Sequence, residues 1–372
     1  VGKENCILIH VTLIPYLKSS GEMKTKPTQA SVKELQGLGL HPDILVCRSD
    51  WPLDAGIKAK IAMFCNVEPS HVIQNLDCDV LYEVPLEMEK EHLANVACDC
   101  LHMPCPEPDL KDWIDMVNRW KNPTRKVTVA LVGKYVALHD AYISVVEALK
   151  HGAVAHDAEV DIKWVDSELV NPDNVSEIFK DVHGIIVPGG FGDRGIEGMI
   201  DAIQYAREHK IPYLGLCLGM QLTIVEFARN VLGYADANSS EFNPSSVHQV
   251  IHIMPDQNGV TDLGGTLRLG SYPCILDKSS KSYTLYGTDH ISERHRHRYE
   301  VNNDYRDALT SHGMKQVGHS PDGHIVEMVE LEGHPWFIGT QAHPEFKSRP
   351  NKAHPLFKGF LGAALEHQEQ NA

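Results

Sequence analysis

The sequence predicts an α/β protein of two three-layer domains, each with a mainly parallel sheet, and three observations predict it. Apolar runs alternate with helical stretches along the chain, several of those runs are too apolar to leave one face in water, and a proline-studded segment interrupts the alternation once. A length of 372 residues adds room for substantial cores, in about two or three domains at ~150 residues each.

In the first half, residues 1–105, the apolar run CILIHVTLI opens near the start as a strand over Cys6–Leu13. PTQASVKELQGLG follows with helical spacing, then the run DILVCRS, the helical AGIKAKIAMFCNV and the run HVIQNL. Strands separated by helices pair in parallel. Prolines 104, 106, 108 and 123 bracket one short amphipathic helix, so residues 106–125 read as a linker. The second domain, 126–372, opens on the strand KVTVALVGKYV. It continues with a helix over Ala141–His151, strands over Glu159–Val165 and 183–190, a helix over Gly195–His209 and the strand IPYLGLC.

The net charge of −16 repels polyanions, which argues against nucleic acid and anionic membrane as partners, so any phosphate site must be local. No apolar window is long enough to span a bilayer and no secretory leader is legible. Nine irregularly spaced cysteines argue for a reducing compartment, hence the cytoplasm. Cys98, Cys100 and Cys105 cluster without metal-site spacing, so no metal ligand is assigned.

Chemistry concentrates in three motifs. Gly215-Leu216-Cys217-Leu218-Gly219 ends an apolar strand and starts the helix MQLTIVEFARNV, a nucleophile elbow with sulfur in place of oxygen. Leu218 N–H, at a helix start, favours a thiolate and an oxyanion. The alternative is a buried cysteine between glycines that merely let strand and helix pack. Pro188-Gly189-Gly190-Phe191-Gly192 can aim backbone N–H groups at a developing oxyanion, or can be a plain turn at a strand end. Gln341-Ala342-His343-Pro344-Glu345-Phe346 follows the strand PWFIGT. Pro344 pushes His343 toward an extended backbone, from which Glu345 at i+2 reaches the imidazole. Cys217, His343 and Glu345 thus form a candidate nucleophile, base and orienting carboxylate.

On PGGFG, GLCLGMQ and HPEF the chain resembles the triad-type class I glutamine amidotransferase family, from Lys126 to the C-terminus. The resemblance implies a flavodoxin-like domain in which the thiolate attacks the glutamine side-chain amide and the histidine protonates the leaving ammonia. It offers Glu241 for the substrate ammonium and Arg298 for its carboxylate, with Gly190, Leu218, Gly219, Met220 and Gln221 lining the site. Arg294, Arg296 and Arg298 alternate with His295, His297 and Tyr299, so a strand would send the arginines to one face; a solvated strand is the other reading.

Longer strings, among them GEMKTKPTQ, KAKIAMFCNV, VALVGKYVALHDAY and ERHRHRYEVN, narrow the resemblance to the branch of that family that aminates UTP to CTP at the expense of ATP. Lys24-Thr25-Lys26-Pro27-Thr28-Gln29 precedes a helix whose first position suits Pro27, which makes a local anion site or a capped helix with solvated lysines. By resemblance, Lys24 to Gln29 and Lys60 hold UTP or inhibitory CTP, and Leu76-Asp77-Cys78 meets the ATP base. The resemblance also implies Mg²⁺ with ATP, no organic cofactor for the glutaminase step, and a homotetramer. No GxxxxGK[ST] string occurs, and the chain opens at Val1. It therefore reads as a fragment that lacks the family's N-terminal phosphate-binding region and keeps only the glutaminase machinery. A stand-alone cysteine hydrolase of γ-glutamyl compounds is the rival, and it leaves residues 1–105 without a use.

Overall fold

The structure is a computed structural model that describes residues 2, 5–254 and 267–371. The chain divides into two compact units, Val1–Lys121 and Asn122–Ala372.

In the first unit, β1 (Ile9–Leu13) is followed by the short β2 (Tyr16–Leu17) and β3 (Glu22–Met23), then α1 (Lys26–Gly37), β4 (Ile44–Ser49), α2 (Ala55–Cys65) and β5 (Val72–Leu76). β1, β4 and β5 pair in parallel, in that order. Alternation along β4 assigns its two faces. Leu45 and Cys47 pack on Val32 of α1 and Ile61 and Ala62 of α2. Ile44 and Val46 meet Met88 of α3 (Val84–Lys90) and Leu93 and Val96 of α4 (Leu93–Cys100). The expected linker contains α5 (Lys111–Lys121). Its Trp113 indole donates to the Tyr82 carbonyl at 2.8 Å and its Trp120 ring lies 4.9 Å from Tyr82, so this helix packs with the first unit.

The second unit runs β6 (Arg125–Gly133), α6 (Ile143–Val154), β7 (Ala158–Asp166), α7 (Val175–Phe179), β8 (Gly184–Val187), α8 (Ile196–Glu208), β9 (Tyr213–Leu216) and α9 (Leu218–Asn230). The chain then forms β10 (Asn238–Ser239), β11 (Gln249–Ile253), β12 (Arg268–Leu276), α10 (Lys281–Tyr286), β13 (His290–His297), β14 (Tyr299–Val301) and α11 (Arg306–Ser311). It closes with β15 (Met314–His319), β16 (Val326–Leu331), β17 (Phe337–Thr340) and α12 (Pro355–Asn371).

The main sheet has the order β13-β12-β15-β16-β17-β9-β8-β6-β7. From β17 to β7 every pairing is parallel, as expected; from β17 back to β13 every pairing is antiparallel, an extension the sequence reading did not anticipate. Helices cover both faces of the parallel part. Val127, Val129 and Leu131 of β6 pack under α6 and α12, while Ala130 and Val132 face α8 and α9. The inner strands β8 and β9 are apolar on both sides for that reason, whereas the edge strand β7 carries Glu159, Asp161 and Lys163. A small sheet, β10-β11-β14, flanks the antiparallel end. Among the described residues no helix is long and apolar enough to cross a membrane.

Candidate active site

The carboxyl ends of β6, β8, β9 and β17 converge, the place where parallel α/β sheets open onto a ligand. Cys217 stands between β9 and α9 at φ 50°, ψ −99°, a left-handed conformation that a side-chain-bearing residue keeps only under constraint. The flanking glycines explain how. A Cβ on Gly215 would sit 2.8 Å from the Gly219 carbonyl carbon, and one on Gly219 would sit 2.2 Å from the Val187 oxygen of β8. Gly219→Ala must therefore push α9 off β8. The variant should lose about 1–3 kcal/mol in urea unfolding, and parent stability would refute this packing role.

His343 Nδ1 lies 2.8 Å from Glu345 Oε1. With Nδ1–H donated to the carboxylate, Nε2 is the nitrogen left for Cys217, and no other group among the described residues engages it. Pro344 to Lys347 form one 3₁₀ turn rather than an extended segment, so the expected route to this pair is corrected: a turn, not a strand, brings Glu345 back to the ring. Burial opposes charge on His343, but the Cys217 sulfur and the Glu345 carboxylate outweigh it and raise the imidazole to about 10. Gly189 lies against the pair; a Cβ there would be 2.7 Å from His343 Cε1 and 3.5 Å from Cys217 Cβ. Beside them, Tyr135, Asp140, Phe191, Arg296, His343 and Phe346 help line a cleft of about 350 Å³.

Around the elbow, Leu218, Gly219 and Met220 are buried. The Gln221 amide donates to the Tyr299 carbonyl at 2.9 Å and to Gln341 Oε1 at 3.2 Å. Gln341 was not foreseen; its Nε2 donates to Cys217 Sγ at 3.5 Å. Gly190 packs on Leu218, and Glu241 Oε1 accepts the Gly192 N–H at 3.2 Å. Burial pushes the Glu241 carboxyl up, against the Gly192 N–H and the Lys134 ammonium. Lys134 was also missed, although it stands in the quoted string VALVGKYV.

The arginine run follows the expected alternation only in part. Arg294 and Arg296 share the exposed face of β13 while His295 and His297 are buried. β13 stops at His297, so Arg298 falls at the break before β14, where the chain passes from the main sheet to the small one; its carbonyl accepts the Met254 N–H at 2.9 Å. Burial raises the Tyr299 hydroxyl, which also feels Glu241 and Arg298, so both charges lie around one phenol.

In the first unit the expected nucleotide residues sit near the carboxyl ends of β1, β4 and β5. Pro27 is the second residue of α1, not the first, and Thr25 is its cap position. Thr28 is fully buried and its hydroxyl donates to the Leu13 carbonyl at 3.1 Å, while the Gln29 amide donates to Thr25 Oγ1 at 3.1 Å. Lys24 pairs with Glu22 at 2.5 Å, and Lys60 is close enough to favour the charge of Glu22. Asp77 pairs with Arg48 at 3.3 Å and the Cys78 thiol donates to the Leu76 carbonyl at 3.4 Å. All nine cysteines are free, and no three His, Cys, Asp or Glu side chains among the described residues gather as metal ligands.

Compared with known proteins, residues 137–363 match the class-I glutamine amidotransferase family and residues 1–103 match the CTP synthase N-terminus. The second match corrects the expectation that the family's N-terminal region is missing, because residues 1–103 are themselves recognised as that region. A CTP synthase of Clostridium beijerinckii is 57% identical over 369 residues, 99% of this chain and 69% of the relative. One from Carboxydothermus hydrogenoformans is 55% identical over 366 residues, 98% of this chain and 68% of the relative. The solved glutaminase domain of Trypanosoma brucei CTPS with bound acivicin aligns at 40% identity and a TM-score of 0.61, over 64% of this chain and 94% of that one. On both domain matches and on relatives more than half identical along nearly its whole length, this chain belongs to the CTP synthase family, with a class I glutamine amidotransferase domain in its second unit.

Proposed function

We propose that the second unit hydrolyses L-glutamine at Cys217 and that the released ammonia aminates UTP to CTP at the expense of ATP. One observation carries the reading: a cysteine in a strained elbow shares its neighbourhood with a histidine already bonded to a carboxylate at 2.8 Å. The sulfur attacks the glutamine γ-carbonyl carbon, and the carbonyl π-electrons move to oxygen. The oxyanion takes the Leu218 N–H at the start of α9 and an N–H of the Gly189–Gly190 turn. As the tetrahedral centre collapses, His343 Nε2–H protonates the amide nitrogen, ammonia leaves and a γ-glutamyl thioester remains. Water then attacks the thioester, its proton passes to Nε2, and glutamate and the thiolate are released.

Glu241 receives the substrate's α-ammonium and Arg298 its α-carboxylate, with Gly190, Leu218, Gly219, Met220 and Gln221 shaping the pocket wall. Neutralising either charge should act on binding more than on chemistry. Glu241→Gln and Arg298→Met are each expected to raise the glutamine KM on the order of 10- to 100-fold with a smaller change in kcat. An unchanged KM in both would remove this pocket.

The first unit supplies the nucleotide half. Lys24, Lys26 and Lys60 offer cations near Thr25, Pro27, Thr28 and Gln29 for the phosphates of UTP, or of CTP as inhibitor, and Leu76, Asp77 and Cys78 contact the ATP base. Thr28 serves through its backbone, since its hydroxyl is bonded inside the fold. Among the described residues no three His, Cys, Asp or Glu side chains gather as ligands for the Mg²⁺ that accompanies ATP. A homotetramer and a cytoplasmic location complete the reading, the latter supported by nine free thiols.

A further inference from the structure

The peptide unit that joins Phe191 to Gly192 is held from both sides. Its carbonyl accepts a hydrogen bond from Lys134 Nζ at 3.1 Å, and its N–H donates to Glu241 Oε1 at 3.2 Å. A trans peptide points these two groups in opposite directions, so Lys134 and Glu241 fix its plane between them. The same ammonium donates to the Gly192 carbonyl. Lys134 is only 3% exposed, and its main chain is anchored in turn. Its N–H donates to Tyr142 Oη at 3.0 Å, and its carbonyl accepts from Arg194 Nη2 at 2.8 Å. A lysine this deep is tolerated only where acceptors replace its water, and the acceptors here are two carbonyls of the turn next to the nucleophile. Gly190 is in the same turn, and a Cβ on it would lie 3.8 Å from Lys134 Cε.

We infer that Lys134 is a positioning residue for glutamine hydrolysis: it sets the Gly189–Gly192 turn and ties that turn to the group that receives the substrate's α-ammonium. The inference rests on the proposed roles of the turn and of Glu241. Without the ammonium, the 191–192 peptide is free to rotate toward Glu241, and the turn's donors drift from where the oxyanion forms. The loss then falls on the transition state, because the γ-carbonyl of bound glutamine carries little charge before attack. Lys134 also helps keep Glu241 ionised, so its removal weakens substrate binding to a smaller degree.

The test compares Lys134→Met, Lys134→Gln and Lys134→Arg with the parent in glutamate release, alkylation of Cys217 by iodoacetamide, and thermal unfolding. Lys134→Met is expected to lower kcat on the order of 10- to 100-fold, less than the loss of a whole oxyanion donor system. Its iodoacetamide rate should stay within about twofold of the parent, since the thiol and imidazole are untouched. Lys134→Arg should recover much of kcat, because a guanidinium also reaches two carbonyls. Lys134→Gln, with one amide donor, should fall between and keeps the test open if Lys134→Met does not fold. A folded Lys134→Met with parent kcat overturns the inference. So does an alkylation rate that falls in step with kcat, or loss of the fold in both neutral variants, either of which would make Lys134 a general structural residue. A parent enzyme that released no glutamate would instead overturn the proposed function itself.

Discussion

Cys217→Ala is expected to abolish glutamate release from glutamine, with a loss on the order of 10⁴- to 10⁶-fold, because a covalent route has no substitute once its nucleophile is gone. Cys217 alone of the nine cysteines stands in a GxCxG string. Burial raises the thiols of Cys47 and Cys274 to about 11 and about 12, and neither stands at a strand-to-helix turn. In the parent, a γ-glutamyl adduct trapped by acid and located by mass spectrometry should map to the peptide that contains Cys217. An adduct elsewhere, or parent-like release by Cys217→Ala, would remove the nucleophile assignment. The variant should fold normally, since alanine at this position keeps the backbone strain and deletes only one buried sulfur.

His343→Ala should approach the same loss, whereas Glu345→Gln should keep substantially more activity, since the ring moves the proton and the carboxylate orients the ring. The two variants separate further in their pH dependence. In the folded protein burial works against the imidazolium, and the Cys217 sulfur and Glu345 lift it to about 10, well above its ordinary value. Glutaminase activity should fall as pH rises through about 10, where the proton destined for ammonia is lost. Glu345→Gln should bring that fall to lower pH, though only partway, because the sulfur remains. Stability follows the same sign: a raised imidazole stabilises the fold below about pH 6.5, the unfolded value, and that contribution disappears as pH climbs toward 10. A limb that moves upward in Glu345→Gln would mean that the carboxylate does not support the charged ring.

What could be read from the sequence was local. GxCxG is a statement about one turn, and the close approach of Gly215 to Gly219 and of Gly219 to β8 bears out why small residues were needed there. The HPE pair was legible because its members are two residues apart, although the backbone joins them by a 3₁₀ turn instead of the extended path. The parallel strands announced themselves through apolar runs that have helices on both faces. The antiparallel strands did not, because β12, β13, β15 and β16 mix polar and apolar residues with no regular period, Glu327 and Glu330 of β16 among them, and so carry no apolar run to mark them. Arg298 was assigned to a continuous strand because a period of two persists through residue 299; the change of sheet at that point has no mark in the spacing. Lys134 and Gln341 escaped for the same reason. Each acts on a group more than 50 residues away, Phe191 in one case and Cys217 in the other.

The backbone at residue 217 has a consequence for inheritance. An L residue held at φ 50°, ψ −99° sits above a relaxed conformation, by about 1–3 kcal/mol. Glycine would relieve that strain, and a cysteine codon is one base change from a glycine codon. Unselected drift at this position therefore runs downhill in free energy and away from reactivity, toward a more stable and silent protein. On the proposed role of Cys217, only selection for ammonia release would hold the sulfur against that drift, so the residue found at 217 would separate a working copy from a retired one more sharply than the integrity of the surrounding fold.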